Sequence, residues 1–501
     1  MHRSLAEIRY LLPVLILGLS LAAWAQDDST SGQAPTPDAG NGAPPPAATG
    51  AAEQNLENPP LSGLDRPRSE PAFGGRSYFV PGVQVSEAAV SNTSGSTNGG
   101  LDTVTRVLGS VDLQKLWRNY QVGLDYIGGV AGNIGSLPPD IGRVNQVDSL
   151  SLDQRVPWRT GQLSVRDSFT YLPEGSFGFN SFGGAAGIGA PLGVGMEGTG
   201  LGGGIAGGSP AGIYLGGGQF GGRQRHIENL STVDIVQAFS PRSTVTLAGG
   251  YDFVKFYPAS NTPTLINSQQ TSGQVGYNRI LSHSDQIGVQ YAFQELHFPN
   301  PGSGTVEVHV WNVLYGHRLT GKLNFEAGGG PEILQVRTPP FTFLLLGIIP
   351  VTIPGSTRRS LSGSGQVTFS YIFSARTNLN FGGSRYVSTG SGFFAGANTD
   401  AARLSLAHTF ARRWGSDIDG GYSYSSRLQN LPAGSVTTAR KYQYWYLGGS
   451  LHRQLGRHFD AFANYQFSSG ISSCTTGSAC GSHEQIGSVG LNWRPNPIHL
   501  D

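Results

Sequence analysis

The feature that most constrains this chain is a two-residue rhythm that recurs, segment after segment, from Arg76 to Arg494. Asp285–Phe293 shows it in compact form. Ile287, Val289, Tyr291 and Phe293 share one parity, and Gln286, Gly288, Gln290 and Ala292 share the other. Successive side chains of a strand point to opposite faces, so such a segment is a ribbon apolar on one side and wettable on the other. A sheet with that pattern on every strand reads as an all-β, antiparallel, up-and-down transmembrane barrel, with hydrocarbon outside and water inside.

The connections set the strand number. Short ones fall around Lys115–Arg118, Pro157–Arg159, Ser240–Ser243, Ser282–Asp285, Thr320–Lys322, Ser374–Thr377, Ala411–Trp414 and Gln454–Arg457. Mostly longer ones alternate with them, among them Glu174–Gly222, Thr338–Thr357, Thr389–Asn398 and Ser469–Ser482. The series starts and ends on a long connection, which predicts about 18 strands with both barrel ends at the short-turn side. A secreted soluble sandwich or propeller also alternates. Its strands cluster near five or six residues, whereas many segments here run to about 11–15. Trp117, Trp158 and Trp414 sit at short turns, where an interfacial girdle would place them.

The N-terminus carries His2, Arg3 and Arg9 ahead of an apolar run from Leu11 to Ala22, then Ala23-Trp24-Ala25. This predicts a signal peptide over residues 1–25, exported through the Sec pathway; the run is too short to span a bilayer. Removing Arg3, Arg9 and Glu7 from the 33 basic and 32 acidic residues leaves 31 of each. A neutral mature chain argues against a nucleic-acid partner. Residues 26–75 are rich in Pro, Ala, Gly and Ser and poor in aromatics, which predicts a disordered periplasmic linker before the barrel at 76–501.

Faces can be assigned strand by strand. Val245, Leu247, Tyr251 and Phe253 form one lipid row; Val367, Phe369, Tyr371 and Phe373 form another; Phe459, Ala461, Ala463, Tyr465 and Phe467 form a third. The opposite parity is expected to line the pore, with Asp252, Glu307, Glu326, Arg403, Asp419 and Asp460 as its charges. A basic side chain on the lipid face at midplane costs about 2–4 kcal/mol, so the inner face is the cheaper place. Both signs predict an aqueous lumen of weak ion preference. Tyr442–Leu451 resists assignment, because Tyr442, Tyr444 and Tyr446 compete with Trp445, Leu447 and Leu451.

Eighteen strands enclose more space than wall side chains fill. The third outer loop, Glu174–Gly222, is the expected occupant, with 21 Gly in 49 residues and Glu174 and Glu197 as its acidic groups. Thr338–Thr357 carries a dense apolar set, from Phe341 to Ile353, that suits packing on other loops or a contact with another surface. Cys474 and Cys480 are expected to form a disulfide at a loop tip, since only His483 is near enough to extend them toward a zinc site.

Chemical motifs are weak. Gly193-Val-Gly195-Met-Glu-Gly198 has dinucleotide-loop spacing but sits in a glycine tract without the flanking strand and helix. His226-Ile-Glu228 lacks the paired cysteines of a zinc deaminase. No Gly-x-Ser-x-Gly elbow occurs, and no cofactor or metal is expected. Convergence of Asp252, His297 and His309 at a barrel rim would be needed for a barrel enzyme, and nothing in the sequence favours it.

Tyr78-Phe-Val-Pro81-Gly-Val-Gln-Val-Ser86, Tyr120-Gln-Val-Gly-Leu-Asp-Tyr126 and Phe169-Thr-Tyr-Leu-Pro173-Glu-Gly-Ser-Phe177-Gly resemble segments of Gram-negative outer-membrane β-barrel porin families, acidobacterial outer-membrane proteins in particular. Pro173-Glu174-Gly175 is similar to the start of the constriction loop of general porins, although their acidic cluster is missing. The resemblance implies an outer-membrane channel in contact with lipid and lipopolysaccharide, inserted by the barrel-assembly machinery, with a homo-oligomer as one expected form. Leu491 and Trp493 suit the terminal assembly signal, but Arg494–Asp501 follow them. The leading expectation is therefore passive diffusion of small polar solutes. A barrel for export or assembly of a surface polymer such as an exopolysaccharide is the alternative, and a barrel enzyme the weaker third. An energy-coupled receptor would need a folded plug and 22 strands, more than this chain holds.

Overall fold

The computed structural model describes residues 60–62, 77–92, 101–134, 144–172, 226–257, 266–299, 304–345, 349–390, 394–429, 440–473 and 479–500. The wall begins with β1 Tyr78–Asn92, β2 Leu101–Trp117, β3 Tyr120–Ile134, β4 Val144–Trp158 and β5 Gly161–Leu172. It continues through β6 His226–Ser240, β7 Ser243–Phe256, β8 Ser268–Ile280, β9 Asp285–His297, β10 Thr305–Thr320 and β11 Leu323–Thr338. A hairpin of β12 Phe341–Leu345 and β13 Ile349–Ile353 then forms its own two-stranded sheet. The wall resumes with β14 Ser356–Ser374, β15 Thr377–Ser388, β16 Ala397–Ala411 and β17 Trp414–Arg427. It ends with β18 Lys441–Gln454, β19 Phe459–Ser473, β20 Ala479–Trp493 and the two-residue β21 Ile498–His499.

Each wall strand pairs antiparallel with its chain neighbour, and β1 pairs with both β2 and β20. The result is a closed barrel of 18 strands. Closure satisfies the backbone groups that an open sheet would leave at its edges, a requirement inside hydrocarbon. All eight short connections fall where turn residues interrupt the alternation. Both barrel ends lie at that rim: Tyr78 pairs with Gln114 near the turn between Trp117 and Tyr120, and also with His499. The C-terminal segment therefore adds a short strand beside β1, beyond the end of β20, instead of stopping at Trp493.

The two faces are chemically opposite. Val313 is 56% exposed, Leu447 54% and Val489 59%, whereas the neighbouring inward positions Asn312, Gln270 and Asn278 are almost wholly covered. At the short-turn rim Trp117, Trp158, Phe239, Phe373, Phe410, Phe459 and Trp493 stand exposed on the outer face, an aromatic belt of the kind found where hydrocarbon meets headgroups. The register also settles β18. Trp445, Leu447 and Leu451 are exposed, while Tyr446 is buried on the inner face with Tyr444 and Tyr442 in its row.

Two departures from a regular cylinder matter for the site. The β14–β15 ladder stops at the Gly365–Arg385 pair, although β14 continues to Ser356 and β15 to Ser388. Tyr386, Val387 and Ser388 instead pair with β16 alone. Beside this break lies a space of about 750 Å³ lined by Leu361–Val367 of β14 and Gly383–Arg385 of β15. The long-loop ends of β15 and β16 turn inward. Val387 and Ala395 pack against the inner side chains Leu296, Val306, Val308, Leu334 and Val336.

Candidate functional site

The lumen is the candidate site, and its wall is built by strands that leave every second residue facing inward. Four inner sectors differ in chemistry. Along β4–β6, Arg155 is held 3.0 Å from Asp153, and Arg166 lies 3.8 Å from the same carboxylate. Along β6–β7, Glu228 and Asp252 lie on the inner parity, 4% and 1% exposed. Along β16–β18, Arg403 Nε donates to Asp419 at 2.7 Å and Tyr446 donates to its other oxygen at 2.6 Å. The inner positions of β8 and β9 carry Gln270, Gln274, Asn278, Gln286, Gln290 and Gln294, without a charged side chain among them.

Of the charges expected in the pore, Asp252, Glu326, Arg403, Asp419 and Asp460 occupy inward parities, spread around the ring rather than gathered at one level. Glu326 accepts a long bond from Thr368 on the neighbouring strand. Glu307 departs from expectation. It shares its parity with the exposed Trp311 and Val313, so it lies on the outer face. There it pairs with Arg337 at 2.9 Å, and Gln335 joins them at 3.1 Å. The reason is local: toward the long-loop end of β10 the inner row becomes Val306, Val308 and Val310, because the inturned β15–β16 segment covers it. Polarity therefore changes sides within one strand, and an assignment based on charge alone places Glu307 on the wrong face. Glu174, Glu197 and the Cys474–Cys480 pairing lie outside the described residues.

Thr389–Gly390 and Phe394–Gly396 continue the inturned ends of β15 and β16. Phe394 is 1% exposed, Gly390 and Gly396 take φ of 83° and 84°, and Leu428 donates its amide to Gly396 at 3.0 Å. Gln294 reaches the Val387 carbonyl, and the Gly304 amide donates to Gln429 at 3.0 Å, tying this side of the barrel to the tops of β9 and β10. Leu61 and Ser62, from the segment read as a free linker, are also buried on the inner wall of β7–β10. Composition hid both elements. A hint of the first was the pair Phe393-Phe394 within a glycine-rich loop; a hint of the second was Leu61, one of few large apolar residues in 26–75.

The three residues a barrel enzyme would have used are separated by the wall. Asp252 faces inward, whereas His297 and His309 sit on the outward parity of β9 and β10. His309 is part of an outer aromatic cluster with Tyr291, Phe293 and Trp311, and Tyr291 hydroxyl meets its Nδ1 at 2.8 Å. Among the described residues no group of three or more His, Cys, Asp or Glu could hold a metal.

No family model matches the chain, and no curated protein does. Solved structures of similar form include the outer membrane protein OpdK from Pseudomonas aeruginosa, at 12% identity over 83% of this chain and 99% of that one, TM-score 0.38. OccK2 (OpdF) of Pseudomonas aeruginosa, solved in complex with glucuronate, is 8% identical over 84% of this chain and 98% of that one, TM-score 0.40. The ferric-catecholate import receptor Fiu from E. coli K12 is 8% identical over 85% and 82%, TM-score 0.40. The barrel itself rests on this chain's own strand register.

Proposed function

We propose that the chain is an outer-membrane channel through which small polar solutes diffuse passively. The observation that carries this reading is the closed 18-stranded wall with an apolar exposed outer row and a polar, mixed-charge inner row. A barrel of this strand number encloses more than its side chains fill, and inner charges of both signs favour water without strong discrimination between anions and cations. On this reading residues 1–25 direct export and the short turns face the periplasm. The outer apolar row contacts lipid and lipopolysaccharide after insertion by the assembly machinery.

Purified protein in planar bilayers tests it. The expected result is stepwise conductance with a cation-to-anion permeability ratio near unity. A tight seal at every voltage, or a mature chain that stays folded and dissolved without detergent, would overturn the reading.

A further inference from the structure

The inner wall of β7–β10 holds a niche that this chain fills with its own residues. Ser62 donates its amide to Asn278 Oδ1 at 3.1 Å, and its carbonyl accepts from Gln274 Nε2 at 2.7 Å. Its hydroxyl lies 2.6 Å from Thr246 Oγ1 and accepts from Asn278 Nδ2 at 2.5 Å. One donor, one acceptor and one hydroxyl are thus each matched by an uncharged group. Gln290 extends the array by donating to Gln274 at 2.9 Å, and its own Oε1, buried, has no partner. Two glycines shape the floor. A Cβ at Gly276 would overlap Ser62, and one at Gly316 would come 3.0 Å from Leu61 Cδ2. Thr246 and Asn278 lie toward the short-turn ends of β7 and β8, and 14 residues lie between Ser62 and Ser77 at the same rim.

We propose that this niche is a binding station for uncharged, hydroxylated solutes, and that Leu61–Ser62 is its resident competitor, inserted from the short-turn side. The proposal rests on the channel reading for its purpose, but not for its test. The groups that hold Ser62 are amides and a hydroxyl, which pair equally with the alternating donors and acceptors of a sugar. None of Thr246, Gln274, Asn278 and Gln290 carries a charge, so a charged solute would find no counter-ion among the groups that hold Ser62, and burying an unpaired charge is unfavourable. Solute and segment cannot occupy Thr246, Gln274 and Asn278 together, so each opposes the other.

Two measurements in detergent test this without reference to conduction. In a Ser62→Cys chain, maleimide labelling of residue 62 is expected to be at least tenfold slower than in the same chain carrying Gly276→Ala, whose methyl group takes the space of Ser62. Leu61→Lys provides a second release variant should Gly276→Ala fail to assemble. Equal labelling rates in the parent and an assembled release variant would overturn the docking. Calorimetric titration with maltotriose is expected to show binding to a chain lacking residues 50–62, at least tenfold weaker binding to the full chain, and none after Gln274→Ala in the shortened chain. Equal affinity with and without the segment, or no binding to the shortened chain, would overturn the assignment of the niche. Absence of conductance in all these proteins would count against the channel reading alone.

Discussion

Arg403 and Asp419 illustrate what an inward charge requires in this barrel. The carboxylate is 6% exposed and is satisfied by one guanidinium and by the Tyr446 hydroxyl, on neighbouring strands. Removing one member of a buried pair leaves the other charged and unmatched, which costs about 3 kcal/mol or more. Arg403→Ala is therefore expected to lower stability to urea by about that amount, whereas Asp419→Asn, which keeps shape and a hydrogen-bonding group, should cost less. Unfolding monitored by tryptophan fluorescence would show the difference. Glu307 gives the complementary case. Because its carboxylate sits outside with Arg337, Glu307→Gln should leave reversal potentials in a salt gradient unchanged, although its sequence parity with polar neighbours suggests a pore residue. A shift toward anions on that substitution would return Glu307 to the lumen. Gly396, at φ 84°, cannot take a Cβ without strain of about 1–2 kcal/mol, so Gly396→Ala should loosen the inturned segment.

At the scale of elements, the repeating pattern was legible because its physical cause is repetitive. Lipid demands an apolar residue at every second position, and each short turn must break that demand. Rows such as Val245–Phe253 and Phe459–Phe467 accordingly read correctly, as did the turns at Ser282–Asp285 and Ala411–Trp414. What was not legible is contact between elements distant in the chain. Val306, Val308 and Val310 form an apolar row on the inner parity of β10, and Val387 and Ala395, distant in the chain, fold across to cover them inside. Tyr442 to Tyr446 stayed ambiguous for the same reason, since aromatic side chains suit both a lipid face and a covered inner face. Phe394 is the large side chain of the inturned segment and is 1% exposed. Phe394→Ala should detach it, at about 3 kcal/mol or more of lost packing, and increase the conductance step in planar bilayers. An unchanged step would mean that this segment does not set the width of the path.

For the whole molecule, closure is incomplete along the long-loop end of the β14–β15 seam. There β14 from Ser356 to Ser364 is held by β11 alone. In an antiparallel ladder alternate residues direct their amides to opposite neighbours. Every second amide between Ser356 and Ser364 should therefore exchange with deuterium far faster than its immediate neighbours, while amides from Gly365 to Ser374 remain protected. Uniform protection along β14 would show that the ladder continues to the top.

That half-open seam makes the cylinder resemble a garment fastened only partway. A tube unbuttoned at its collar has a natural place to splay, so slow spreading of the mouth should begin beside Arg385, with the far side of the ring acting as the hinge.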